Sequence, residues 1–362
     1  MSAGRARTLA IAGAAVLAAA ALAGWAVDVR ALLAAYLAAW WFVSGALLGG
    51  LANVWLHDLT GGRWGEAIRG PLLRAARWLP LVCLLFLPVL LGAPQLYAWT
   101  RGAGGEPDAA FRHAWLSPGF WTVRSIVYLL LWSGLAWIET RVRPGSKARS
   151  PARAAACLLV FGFSSGLASV DWIMSLQPEW SSSVFGWLTG TGQMLAGMAL
   201  AVVLIDRNAR REQLPDLGNL LMMYVMTWGY LAYVQFLIIW AADLPHEISW
   251  YLRRTAPFWK GVAWVLVVTH LAGPLCLLLS RKAKRAPAMM GFLAWALLAA
   301  HLLDCWWLVV PSLQGLTRNW MWLAPAVAAG GLLLAWVAVR GAAGGAKRER
   351  AAVGIAKEGG HA

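Results

Sequence analysis

Apolar runs, each close to the length of a membrane crossing, recur along the whole chain, and short polar segments rich in arginine and lysine separate them. About 20 helical residues cross the hydrocarbon of a bilayer, so runs of this length predict transmembrane helices. The pattern places about ten of them, near 8–27, 31–56, 78–98, 119–140, 153–176, 183–205, 218–242, 259–280, 288–311 and 320–341. The connections are too short for separate domains. Residues 1–345 therefore read as a single all-α, polytopic membrane helix bundle, and residues 346–362 as a basic cytoplasmic tail.

Charge orients the bundle. With the N-terminus inside, alternate segments hold 23 of the 31 Lys and Arg residues. The outer side keeps Arg30, Arg101, Arg112, Arg124, Arg253, Arg254, Lys260 and Arg318. An imbalance that alternates loop by loop is the positive-inside pattern, and it supports both the span count and an N-in/C-in topology. Arg5, Arg7 and the alanine-rich stretch ending at Ala21-Leu22-Ala23 also fit a cleavable signal peptide. Its removal would leave nine spans and the same sidedness.

Composition agrees. The chain is 60% hydrophobic and only 13% charged, with a mean hydropathy of +0.61, whereas a soluble domain carries about a quarter charged residues. The net charge of +15 sits in loops rather than on one polar face, which argues against nucleic acid as a partner and for the lipid bilayer. Cys83, Cys157, Cys276 and Cys305 lie on four different runs with no Cys-x-x-Cys, so iron–sulfur, zinc and covalent c-type haem sites lack their ligand spacing. Many of the 25 Trp residues gather near span ends, as an interfacial belt does. Gly45/Gly49, Gly162/Gly166 and Gly186/Gly190 put small residues on one helix face, the usual basis of close helix packing.

Ionisable groups at membrane depth are costly, so each is a candidate for function. Asp171 lies in the fifth span and Arg124 opens the fourth at a comparable depth, where the two could pair only to hold helices together. His301 is central in the ninth span, and Asp304 follows three residues on, on the same helix face. His270 is central in the eighth span, and Pro274 frees its carbonyl. Gln193, Tyr233, Gln235, Ser164 and Ser165 add neutral polar groups, the makings of a hydrogen-bonded trail toward the outer face. Two histidines on separate helices are also an arrangement that ligates one b-type haem.

The stretch Asp171-Trp172-Ile173-Met174-Ser175-Leu176-Gln177-Pro178-Glu179-Trp180 resembles the Asp-Trp-x-Met-Ser-Leu-x-Pro-x-Trp signature of the F subunit of alternative complex III, a bacterial quinol:cytochrome c oxidoreductase. Asp216-Leu217-Gly218-Asn219-Leu220, Trp228-Gly229-Tyr230, Gln235, Pro245 to Tyr251, and Asp304-Cys305-Trp306-Trp307 with Pro311 are similar to further stretches of that family, as are His57 to Gly62 and Trp64-Gly65. Around Pro245 the family tends to carry Asn and a Glu-Glu pair, where this chain has Asp243 and His246-Glu247.

The resemblance implies an NrfD-like, ten-helix subunit in the bacterial cytoplasmic (inner) membrane. Its partners would be a second NrfD-like membrane subunit, an iron–sulfur subunit and c-type haem subunits, and those partners would hold the redox centres. Here the chain would contact a quinol or quinone (menaquinone or ubiquinone), conduct protons, or both. On this reading Asp171, Asp304, His301 and His270 handle protons, while Arg124, Gln193, Gln235 and Trp172 are candidates for the vicinity of a quinone. No metal ligand set is expected. A secondary transporter and a purely structural anchor subunit are the rival readings.

Overall fold

The computed structural model describes residues 28–101, 114–141, 150–313 and 315–316, with scattered positions between 8 and 26. Every regular element among them is helical. The order is α1 (Val29–Thr60), α2 (Arg63–Ala76), three short helices α3 (Leu79–Leu84), α4 (Leu87–Leu91) and α5 (Ala93–Leu96), then α6 (Pro118–Glu139), α7 (Pro151–Trp172), α8 (Phe185–Leu204) and α9 (Leu214–Ala242). It continues with α10 (Pro245–Leu252), α11 (Pro257–Leu266), a π-helical turn over Val267–Ala272, α12 (Gly273–Leu279), α13 (Arg281–Arg285) and α14 (Pro287–Val309).

Among the described residues, seven helical stretches are long and apolar enough to span a membrane: Val29–Thr60, Pro118–Glu139, Pro151–Leu176, Phe185–Leu204, Leu214–Ala242, Pro257–Leu279 and Pro287–Ser312. Each coincides with a span expected from the sequence. The expected spans near 8–27 and 320–341, and the tail over 346–362, fall mostly or wholly outside the described residues. The expected span near 78–98 is broken. Pro80, Pro88 and Pro94 each stand in the first turn of a new short helix, because proline cannot donate to the turn before it. Together with α2, this stretch forms a pair bent by 42° that makes an eighth crossing if the two parts are one span.

Caps set several boundaries. The Asp28 carboxylate accepts from the backbone N–H groups of Arg30 and Ala31, both at 3.0 Å, and starts α1. Ser150 does the same for α7 through Arg153 N at 3.2 Å.

Helix α1 is the centre of the bundle, buried along most of its length and packed on α2, α7, α8 and α14. Its closest neighbour is α8, and glycine makes that approach possible. A Cβ on Gly49 would lie 1.9 Å from the Gln193 carbonyl oxygen, and one on Gly197 would lie 2.2 Å from the Gly50 nitrogen. The two main chains therefore touch. Gly166 of α7 meets Gly186 of α8 in the same way, whereas Gly162 and Gly190 face open space. Gly197→Val is expected to cost at least the ~1–3 kcal/mol of core overpacking, because backbone rather than a mobile side chain stands in the way. Thermal unfolding in detergent should show a clear drop for that variant and almost none for Gly190→Ala.

The opposite wall is different. On α9 and α11 the residues Met226, Tyr230, Trp240 and Trp264 are exposed, so this face is left to lipid or to other protein.

Polar groups near the span ends sort to two ends. At one, Arg63 approaches Glu212 to 3.8 Å, Arg69 and Arg153 both reach Glu139, and Lys284 donates to Asn219. At the other, Arg253 pairs with Glu179, and Gln177 donates to Ser249 at 2.8 Å.

Candidate functional site

Three clusters of buried polar groups stand out among the described residues. In the first, α9, the π-helical turn, α8 and α14 bring His270 and His301 together. The imidazole planes are 26° apart with centroids 5.7 Å apart, and both side chains are buried. Pro274 explains the local backbone. It offers no N–H to the carbonyl of His270, and the helix re-registers so that Gly273 N reaches back to Val268 O. Turns of this kind occur frequently at functional sites.

Around the pair, Trp228 packs edge-on against His270 at 4.2 Å. Asp304 Oδ2 is 3.7 Å from His301 Nδ1, and Cys305 Sγ is 3.8 Å from His301 Nε2. Gly192 makes the space: a Cβ there would lie 2.7 Å from His301 Cε1. Both ring nitrogens of His270 and Nδ1 of His301 are buried with no hydrogen-bond partner among the described residues. An unsatisfied buried polar atom costs about 1–3 kcal/mol, so three in one place call for a functional account. Two ring bases and a carboxyl in a row can accept a proton and hand it on.

Gln193, next to Gly192, accepts from Ser165 Oγ at 2.7 Å, while its own Nε2 has no partner among the described residues. One turn along, Tyr224 donates to Asn53 Oδ1 at 2.8 Å, and the Asn53 amide donates to the carbonyls of Gly49 and Met194. These contacts extend the polar row along α1, α8 and α9.

The second cluster is the expected Asp171–Arg124 pair. Arg124 Nε and Nη2 bond Asp171 Oδ2 and Oδ1 at 2.9 and 2.8 Å. Trp115 Nε1 at 2.9 Å and Tyr128 OH at 3.0 Å donate to the same carboxylate. The guanidinium also stacks on Trp115, 4.0 Å from its centroid. Four donor atoms on one carboxylate hold it in a single, fixed geometry. Trp172 is fully buried with Trp40, Trp41, Phe86, Tyr128 and Trp132 around it, and its Nε1 donates to Ser125. That is core packing. Ser164 accepts from Trp132 in the same layer, and Tyr233 points off the bundle, away from the polar row.

Gln235 belongs to neither cluster. It accepts from Ser182 at 3.2 Å in the layer beneath α10, close to Tyr251, whose phenol burial pushes up to about 12. Beside it Arg254 is buried, with no carboxylate partner among the described residues. It donates to the carbonyls of Trp250, Trp307 and Leu308 and to Ser312 Oγ, and lies 3.5 Å over the Trp250 ring. The last carbonyls of α14 carry partial negative charge, which suits a cation there, although burial lowers its pKa.

The third cluster was not expected. Glu139, fully buried, accepts from Arg69 at 2.9 Å, Arg153 at 2.8 Å and Trp55 Nε1 at 3.2 Å, and Arg69 also pairs with Asp58. The network ties α1, α2, α6 and α7 together. The only sequence signal was an acid ending an apolar run among basic segments.

Among the described residues no three His, Cys, Asp or Glu side chains gather in a form that could hold a metal ion. Neither the known family models nor the curated proteins include a match to this chain.

Proposed function

We propose that this chain is a membrane subunit of a quinol:cytochrome c oxidoreductase of the alternative complex III type, and that it carries protons through the His270–His301–Asp304 row. The buried ring nitrogens without partners, set beside a carboxyl at a π-helical turn, are the observation that carries this reading. The Asp-Trp-x-Met-Ser-Leu stretch at Asp171 supports the choice of complex.

On this reading the chain crosses the inner membrane ten times with both ends inside, and the redox centres lie on partner subunits. Oxidising one quinol to quinone releases two electrons and two protons. The electrons pass to an iron–sulfur partner. The protons need a base close by, and Asp304, His301 and His270 supply a sequence of them. Arg124 and Asp171 form the fixed pair that joins α6 to α7. Gln193, whose amide nitrogen has no partner among the described residues, and Gln235 are the side chains that could donate to a quinone carbonyl.

Affinity purification of the tagged chain in mild detergent, with partners identified by mass spectrometry, tests this directly. Co-purification with an iron–sulfur protein, c-type haem proteins and a second NrfD-like protein is the expected result. A chain that purifies alone or as a homodimer rejects the reading and leaves transport as the better one. A haem held by the two histidines would give the isolated chain a Soret band, which proton handling alone does not.

A further inference from the structure

A cavity of about 370 Å³ opens at the arginine-rich end of the bundle, between the start of α3 and the last turn of α6. Arg77, Pro80, Ala136, Trp137, Thr140 and Arg141 line it. Its volume falls in the range of ~300–1,000 Å³ that holds small ligands.

The two cations in this cavity are uncommitted. Arg141 lies 3.9 Å over the Trp137 ring, a contact that leaves the edge of the guanidinium available, and Arg77 is exposed. Neither has a carboxylate partner among the described residues. The acid in the same turn, Glu139, is buried on the other side and already holds Arg69, Arg153 and Trp55. Beyond the mouth, α3 and α6 expose Leu81, Leu84, Leu130 and Ile138. A pair of guanidinium groups thus stands where an apolar, membrane-facing surface begins.

We infer that this cavity binds the phosphodiester headgroup of an anionic phospholipid of the phosphatidylglycerol class, with its acyl chains along α3 and α6. Guanidinium groups match phosphate oxygens with two parallel N–H bonds each. Basic pockets between transmembrane helices on the cytoplasmic side are suited to such headgroups. Trp137 and Pro80 supply the apolar walls for the glycerol backbone. The inference is independent of the redox reading, because no residue of the cavity belongs to the buried polar row.

The test uses the full chain in mixed micelles, with lipid retention read by native mass spectrometry. Dioleoyl phosphatidylglycerol should be retained about thirtyfold more tightly than dioleoyl phosphatidylcholine, two basic side chains each contributing their usual surface share. The double variant Arg77→Gln/Arg141→Gln should lose that preference while unfolding at the same temperature as the parent in phosphatidylcholine. Arg77→Lys/Arg141→Lys should keep part of it. Equal retention of the two lipids by the parent overturns the inference, and so does an undiminished preference in the Gln variant. Competition by inorganic phosphate alone would assign the cavity to a free anion and also overturn it.

Discussion

On the proposed function, replacing Asp304 with Asn is expected to lower quinol oxidation about a hundredfold or more, the usual weight of a positioned acid or base. The amide keeps the shape of the carboxyl and cannot take up a proton. His301→Gln and His270→Gln should act in the same direction, because the two rings lie side by side between α14 and the π-helical turn. The assay is steady-state reduction of cytochrome c by a soluble quinol, on preparations matched for the amount of this subunit. Full turnover in all three variants would leave the row as packing and remove it from the mechanism.

Asp171→Ala should fail at an earlier stage. The change strands the Arg124 guanidinium, which is buried between Trp115 and the α6–α7 contact. Removing one partner of a buried pair costs about 3–5 kcal/mol, since the remaining charge is left uncompensated. The yield of folded protein and its unfolding temperature in detergent should both fall. Replacing the whole pair by apolar residues of similar volume is often neutral, so Arg124→Met/Asp171→Leu should recover much of the loss. That double variant also separates two roles. If the pair only joins helices, turnover returns with stability. If Asp171 passes protons, the double variant folds and remains inactive.

Much of this architecture was legible along the chain. The seven crossings that the structure describes lie where the apolar runs put them, because a helix in lipid must satisfy its own backbone and leaves a continuous apolar signature. Local breaks were harder to see. Three prolines at Pro80, Pro88 and Pro94 divide one apolar run into short helices, and hydropathy alone does not register them.

Among the polar groups, His301 and Asp304 were legible as one helix face, and Pro274 marked the disturbed backbone at His270. That the two histidines meet depends on the packing of α8, α9 and α14, which no spacing along the chain reveals. Gly192 is the clearest example. In sequence it is one more small residue, yet in space it is what admits the His301 ring. Glu139 escaped for the opposite reason. Its partners, Arg69 and Arg153, were read as loop charges that orient the protein, and their second use as a buried knot became visible only where four helices meet.

The crossing at Gly49 and Gly197 bears on how a proton could be let through in one direction at a time. Where main chain rests on main chain, no side chain lies between the helices, so α1 and α8 form the most closely packed part of the bundle, its keel. The histidine row lies between that keel and the lightly covered wall made by α9 and the helix interrupted at Val267–Ala272. On the proposed proton-carrying role, alternation of access between the two membrane faces would come from that outer wall. A neighbouring subunit leaning on it would then hold the gate.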